Sequence, residues 1–175
     1  MQNANYKPYL SFLHSRIYNI STIDDKVEAL RLYLEANKYD DEGDAWHSIH
    51  YPNIVAFVNQ FNKVECDRLL ASMRTWGEDL FWHMADPFLD IVNPHINGNL
   101  LYIKIFLAAT DSETEEYLMN NISVVTLIPI GVEPVEFYYR LKDKVICVSK
   151  RLGRNEDFTL TQIEVKIGIE ETERQ

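Results

Sequence analysis

Residues 135–150, VEFYYRLKDKVICVSK, are where a sheet reading and a helical reading of this chain part. Residues 135–141 and 144–150 are rich in β-branched and aromatic side chains, and the polar pair Lys142-Asp143 separates them. Two such runs around a short polar break read as an antiparallel hairpin. The neighbouring stretches point the same way. Residues 122–130, ISVVTLIPI, are β-branched. Within 158–167, FTLTQIEVKI, apolar Ile163, Val165 and Ile167 alternate with charged Glu164 and Lys166, the period of a strand with one wet face. A small antiparallel β-sheet is therefore expected over about 122–168, with a frayed tail at 169–175.

Upstream, the period changes to that of helices. Leu10, Leu13, Ile17 and Ile20 recur at spacings of 3, 4 and 3, a helical stripe over 8–20. Ser21 and Thr22, with Asp24 and Asp25 three residues later, predict a helix start. Val27, Leu30 and Leu34 carry that helix to about Asn37. Pro52 suits the first turn of a helix bearing Ile54, Val55, Phe57, Val58 and Phe61. Helices are expected at about 64–74, 76–91 and 99–109, the second bent or shortened by Pro87, with a strand left open for the third by its β-branched content. Asp111 is placed to cap the following segment, DSETEEYLMNN. The expected class is α+β: a helical body of short stacked helices over about 8–120, then the sheet, in a single domain spanning 1–175.

The chain has 175 residues, 46% hydrophobic and 12% aromatic, enough for a folded core. No apolar run reaches the roughly 20 residues that span a bilayer. The amino-terminal MQNANYKPYLSFLHSR lacks the basic start, apolar stretch and small-residue cleavage site of a secretory signal, so a cytoplasmic protein is expected. Cys66 and Cys147 then read as free, mostly buried thiols, Cys147 within an apolar strand.

Charge narrows the function classes. Acids number 27 and bases 17, a net −10, which disfavours a general nucleic-acid or anionic-membrane binder. The imbalance is local. Residues 21–44 carry eight acids against three bases, whereas residues 140–154 carry six bases against one acid. The acidic run reads either as a solvated helix face and loop or as a docking patch for a basic protein surface. Asp40, Asp41, Glu42 and Asp44, with Trp46 just after them, form the candidate partner-binding segment, because a large aromatic beside complementary charge can anchor an interface. Trp46 could equally close the core. The basic run reads as lysines guarding a strand edge, with a phosphate strip or a contact to another copy as the rival. An exposed edge beside opposite charge permits a homodimer without requiring one.

Residues suited to chemistry are present but not in a catalytic pattern. Asp44, His47 and His50 could share a metal, yet no further Cys or His lies close in sequence, and no metal or cofactor is expected. Cys66 sits between Glu65 and Asp67, which disfavour its thiolate. Asp79, Asp86 and Asp90, at spacings of 7 and 4, read as one helical surface face. Were the chain an enzyme, Asp79, Asp86, His47 and His50 would be the first residues to suspect. No GxGxxG, GxxxxGK, GxSxG or HExxH occurs. Trp76, Phe81, Trp82 and Phe88 read as core.

Four runs have a familiar cadence: Tyr51-Pro52-Asn53-Ile54-Val55-Ala56-Phe57-Val58, Leu69-Leu70-Ala71-Ser72-Met73, Trp76-Gly77-Glu78-Asp79-Leu80, and Leu100-Leu101-Tyr102-Ile103-Lys104-Ile105-Phe106. Over about residues 50–120 the chain resembles the helical, HEAT-like immunity proteins of bacterial polymorphic and contact-dependent-inhibition toxin systems. The β segment lies outside that resemblance. It implies a non-enzymatic protein that binds one cognate toxin domain and occludes its active site or an essential surface. Many such toxins are nucleases with basic clefts, for which an acidic inhibitor is the complement. The alternative is an acidic protein-binding regulatory or adaptor domain of another intracellular complex.

Overall fold

A computed structural model of the chain describes residues 25–39, 45–127 and 133–173. It divides into two compact units, Met1–Gly98 and Asn99–Gln175. The stripe expected over 8–20, the expected caps Ser21 and Thr22, and Asp24 lie outside the described residues.

The first unit is made of short helices, each with a local reason to start or stop. Helix α1 spans Lys26–Asn37. Asp25 caps it, its carboxylate accepting from the Val27 and Glu28 amides at 3.0 and 3.4 Å. Val27, Leu30, Tyr33, Leu34 and Asn37 form its buried stripe. A π-helical turn, Trp46–His50, leads into α2, Tyr51–Val58, with Pro52 in the first turn as expected. Helix α3, Lys63–Ser72, opens with a capping box: Asn62 accepts from the Glu65 amide at 3.0 Å, and Glu65 accepts from the Asn62 amide at 2.8 Å.

The segment expected as one bent helix over 76–91 is three pieces. These are α4 (Glu78–Phe81), a 3₁₀ turn (Trp82–Met84) and α5 (Ala85–Asp90). Pro87 explains the break, since it has no N–H to give and its ring crowds the carbonyl four residues back. After α5, the Asn93 amide donates to the Val58 and Phe61 carbonyls at 3.0 and 2.8 Å. Those bonds satisfy backbone oxygens at the end of α2. At Gly98 a Cβ would sit 1.8 Å from the Phe88 carbonyl oxygen, so the backbones meet there only because no side chain intervenes.

The second unit is made of longer, regular helices: α6 (Gly98–Ala108), α7 (Ser112–Leu127), α8 (Val135–Leu152) and α9 (Asp157–Glu173). Asp111 caps α7 as expected, accepting from the Glu113 and Thr114 amides, each at 3.0 Å. Helix α9 packs on both α8 and α7. The core holds Tyr102, Ile103 and Phe106 of α6, Leu118 and Ile122 of α7, Leu141, Val145 and Val148 of α8, and Ile163 of α9.

The α+β expectation is overturned here. Among the described residues no strand occurs, and the expected sheet over 122–168 is helical. Lys142-Asp143 lies in the middle of α8 rather than at a turn. The pair lacks the Asn-Gly or Asp-Gly chemistry with positive φ that a two-residue hairpin loop needs. The buried residues of α8 (Val135, Tyr138, Leu141, Val145 and Val148) recur every three or four positions, the helical period. The residue that does turn the chain is Gly153, at φ 63°, which ends α8. There the Arg154 amide donates to the Ser149 carbonyl at 3.0 Å. β-Branched and aromatic composition was a weaker signal than this periodicity.

Candidate functional site

Asp40, Asp41, Glu42 and Asp44 lie outside the described residues, so their placement is not part of the geometry that follows. Trp46 is half-buried. Its indole meets the His83 ring edge-on at 4.6 Å, and the His50 ring lies 6.0 Å away. Trp46 is therefore part of an aromatic cluster and keeps part of its surface exposed.

His83 joins the two stems of the acidic segment. Its Nε2 lies 3.0 Å from the Lys38 carbonyl oxygen, and its Nδ1 lies 2.5 Å from that of Asp79. Its other face stacks on Trp82 at 3.8 Å. Burial pushes the His83 pKa below its ordinary value, while the two carbonyls work in the opposite direction. Lys38 reaches Asp79 at 2.5 Å and Glu35 at 2.9 Å. Those hydrogen bonds raise the lysine pKa, Asp79 foremost, and Lys38 in turn lowers that of Asp79. Beneath them, the Tyr33 hydroxyl and His50 Nδ1 lie 2.6 Å apart, wholly buried.

Of the residues suspected of chemistry, His47 and Asp90 meet at Tyr51, and Asp86 lies close enough to act on the same hydroxyl. His47 is exposed beside Tyr51, whereas His50 points inward to Tyr33. Asp79 is engaged by Lys38, and Asp90 accepts from the Tyr51 hydroxyl at 2.6 Å. Burial and then Asp90 raise the Tyr51 pKa. Cys66 is buried, and burial, then Glu65 and Asp67, raise its thiol pKa. Cys147 is exposed on α8, not core. With Leu141, Val145 and Val148 facing inward, position 147 falls on the outer side of the helix. Of the four aromatics expected in the core, Phe88 is wholly buried, and Trp76, Phe81 and Trp82 are half-buried.

In the second unit the basic run of 140–154 is largely consumed by ion pairs. Lys144 and Arg151 both engage the buried Glu115, Arg151 at 2.6 Å. Lys142 pairs with Glu164 at 2.7 Å and Arg154 with Glu116 at 3.3 Å. Burial alone would raise the Glu115 pKa, but the two cations prevail and hold it low. A groove of about 390 Å³ has an apolar floor of Leu107, Ala108 and Phe137. Lys104 and Glu133, paired at 3.1 Å, lie at its rim with Arg140.

Sequence reasoning missed the surface of α9, where Phe158, Val165 and Ile169 are more than half exposed. Their spacing of 7 and 4 is helical, and it was hidden by the strand reading. No family model matches this chain, and neither a curated protein nor a solved structure matches it.

Proposed function

We propose that this chain acts by binding rather than by chemistry, as a cytoplasmic immunity protein that neutralises a cognate bacterial toxin domain with a basic surface. The observation that carries this reading is electrostatic. Four of the six cations in the basic run are neutralised within their own unit, by Glu115, Glu116 and Glu164. The molecule keeps a net charge of −10, so its dominant long-range attraction is for a positive partner. An acidic inhibitor meeting a basic cleft gains association rate and discrimination between partners. The segment Asp40, Asp41, Glu42 and Asp44 remains the proposed steering element, and Trp46 and His83 brace the chain beside it.

A growth-rescue assay tests this. The carboxy-terminal domain of the protein encoded beside this gene is expressed alone and together with this chain. Toxicity lost only on co-expression, with the two proteins copurifying, is the expected result. Toxicity that this chain leaves untouched would turn the reading to the adaptor alternative. Reversing the charge at Asp40, Asp41, Glu42 and Asp44 should slow association with that domain and flatten its salt dependence.

A further inference from the structure

The alternation that imitates a strand in 158–167 has a helical cause. On α9, Ile163 and Ile167 face inward at 0% and 7% exposure, while Val165 and Ile169 face outward at 54% and 52%. Apolar residues two apart on a helix lie on nearly opposite sides, so this helix has two apolar faces. One is used by α7 and α8. The other runs along Phe158, Thr161, Val165, Gly168, Ile169 and Thr172. It covers about a third of the helix circumference and carries no charged residue. Gly168 adds an independent sign. A Cβ there would meet nothing within 4 Å, so nothing inside the described fold requires a glycine. A glycine in a helix interior costs about 1 kcal/mol, and on an outer face it leaves room for another backbone to come close.

We propose that this outer face of α9 seats an amphipathic helix from a partner protein, with basic residues flanking that helix's apolar side. The proposal rests on the binding function above and moves its apolar anchor to the second unit. Charge selects the occupant. Asp157, Glu164 and Glu171 recur every seven residues along one border of the face, where Glu164 pairs with Lys142 at 2.7 Å and Glu171 accepts from the Tyr139 hydroxyl at 2.6 Å, and Lys166 stands on the other. Five of the six charged residues of α9 are acids. A symmetric antiparallel pairing of two α9 helices would set Asp157 of one copy near Glu171 of the other, which repels. Helices that lie on anionic lipid carry Lys and Arg around the apolar face, and this one carries acids. A basic amphipathic helix satisfies the face and its Asp157–Glu171 border, by the helix-in-groove mode of recognition.

The test uses a synthetic peptide of about 18 residues, with leucine at i, i+3, i+4 and i+7 and lysine elsewhere, titrated into the isotopically labelled full chain. The expected result is binding with NMR shifts on the outer face of α9, weakened at least about tenfold by joint Val165→Ser and Ile169→Ser. A leucine–glutamate peptide of the same spacing should not bind. Both substituted side chains are exposed, so the variant should keep the helical circular dichroism and melting temperature of the parent. Equal affinity of parent and variant, shifts confined to other helices, or no binding would overturn the proposal. So would a dimer of the parent that the two substitutions disperse. The rescue assay separates the two readings. Rescue by parent and variant alike, with no peptide binding, sinks the α9 face alone. Peptide binding as expected, with no rescue, sinks the immunity function alone.

Discussion

The two units share one way of burying polarity, a side chain bonded to a backbone carbonyl, and differ in a second. Among the described residues of Met1–Gly98, the buried polar side chains are His50, His83, Asn37 and Asn93, bonded to a hydroxyl or to backbone carbonyls around short, interrupted helices. In Asn99–Gln175 the helices are long, Thr126 and Ser149 bond carbonyls of their own helices, and the buried carboxylate Glu115 is held by two cations. Hydrogen bonds to carbonyls repair the places where irregular chain leaves backbone groups unmet. Regular helices meet their own backbone needs, so their buried polarity can be spent on tying one helix to another. The first unit should therefore be sensitive to proton uptake by a histidine, and the second to loss of a charge.

The largest effect should come from Glu115→Ala. It leaves Lys144 and Arg151 side by side without their shared anion, and Lys144 is mostly buried. Removing one partner from such a network costs about 3 kcal/mol. Chemical denaturation followed by NMR should place that loss in the second unit and leave the first nearly unchanged. A loss spread equally over both units would break the contrast.

Tyr33→Phe is the matching change in the first unit. It deletes one hydroxyl from a wholly buried contact with His50 and leaves the ring packing intact. A loss of about 2 kcal/mol is expected. Amide exchange should rise first in α1 and α2.

Legibility divided along the same line. In the first unit, elements begin and end at residues whose effect is local: Asp25, Pro52, the Asn62/Glu65 box and Pro87. Such signals can be read without knowing the tertiary structure, and the helices they bound were largely foreseen. In the second unit, α8 and α9 are rich in residues favoured in strands, yet buried contacts hold them as helices. The period of Val135, Tyr138, Leu141, Val145 and Val148 was there to be read. The residues of α9 were harder, because two apolar faces of a helix superpose into an alternating pattern. The joining of Lys38, Trp46, Asp79 and His83 was not legible at all, since those contacts link distant parts of the chain.

Acidity should sharpen the contrast. The folded His83 has its pKa pushed below the ordinary 6.5, so the unfolded chain takes up this proton first as the pH falls. Stability from His83 is complete above 6.5 and is lost progressively as pH drops through the window beneath it. Asp79 and Lys38, the charged groups facing it, pull its pKa in opposite directions. Glu115 behaves differently. Its folded pKa is held below 4.5, so its contribution persists until the pH falls beneath that value. Between about pH 7 and 5 the first unit should therefore weaken while the second holds. His83→Gln should flatten the response of the first unit. An equal acid response in both units would show that His83 does not govern it.

Gly168→Ala should produce the smallest change, and it acts in the opposite direction. The added methyl meets no neighbour, so the substitution only trades a flexible helix residue for a stiffer one. A gain of up to about 1 kcal/mol is expected in the second unit, visible as a higher melting temperature. If the outer face of α9 receives a partner helix, the same methyl should weaken the leucine–lysine peptide while it strengthens the protein. Stability and binding would then move in opposite directions from one substitution, which no purely structural role for Gly168 produces. A variant that gains stability and binds the peptide as tightly as the parent would leave Phe158, Val165 and Ile169 as the anchors and remove close backbone approach from the interface.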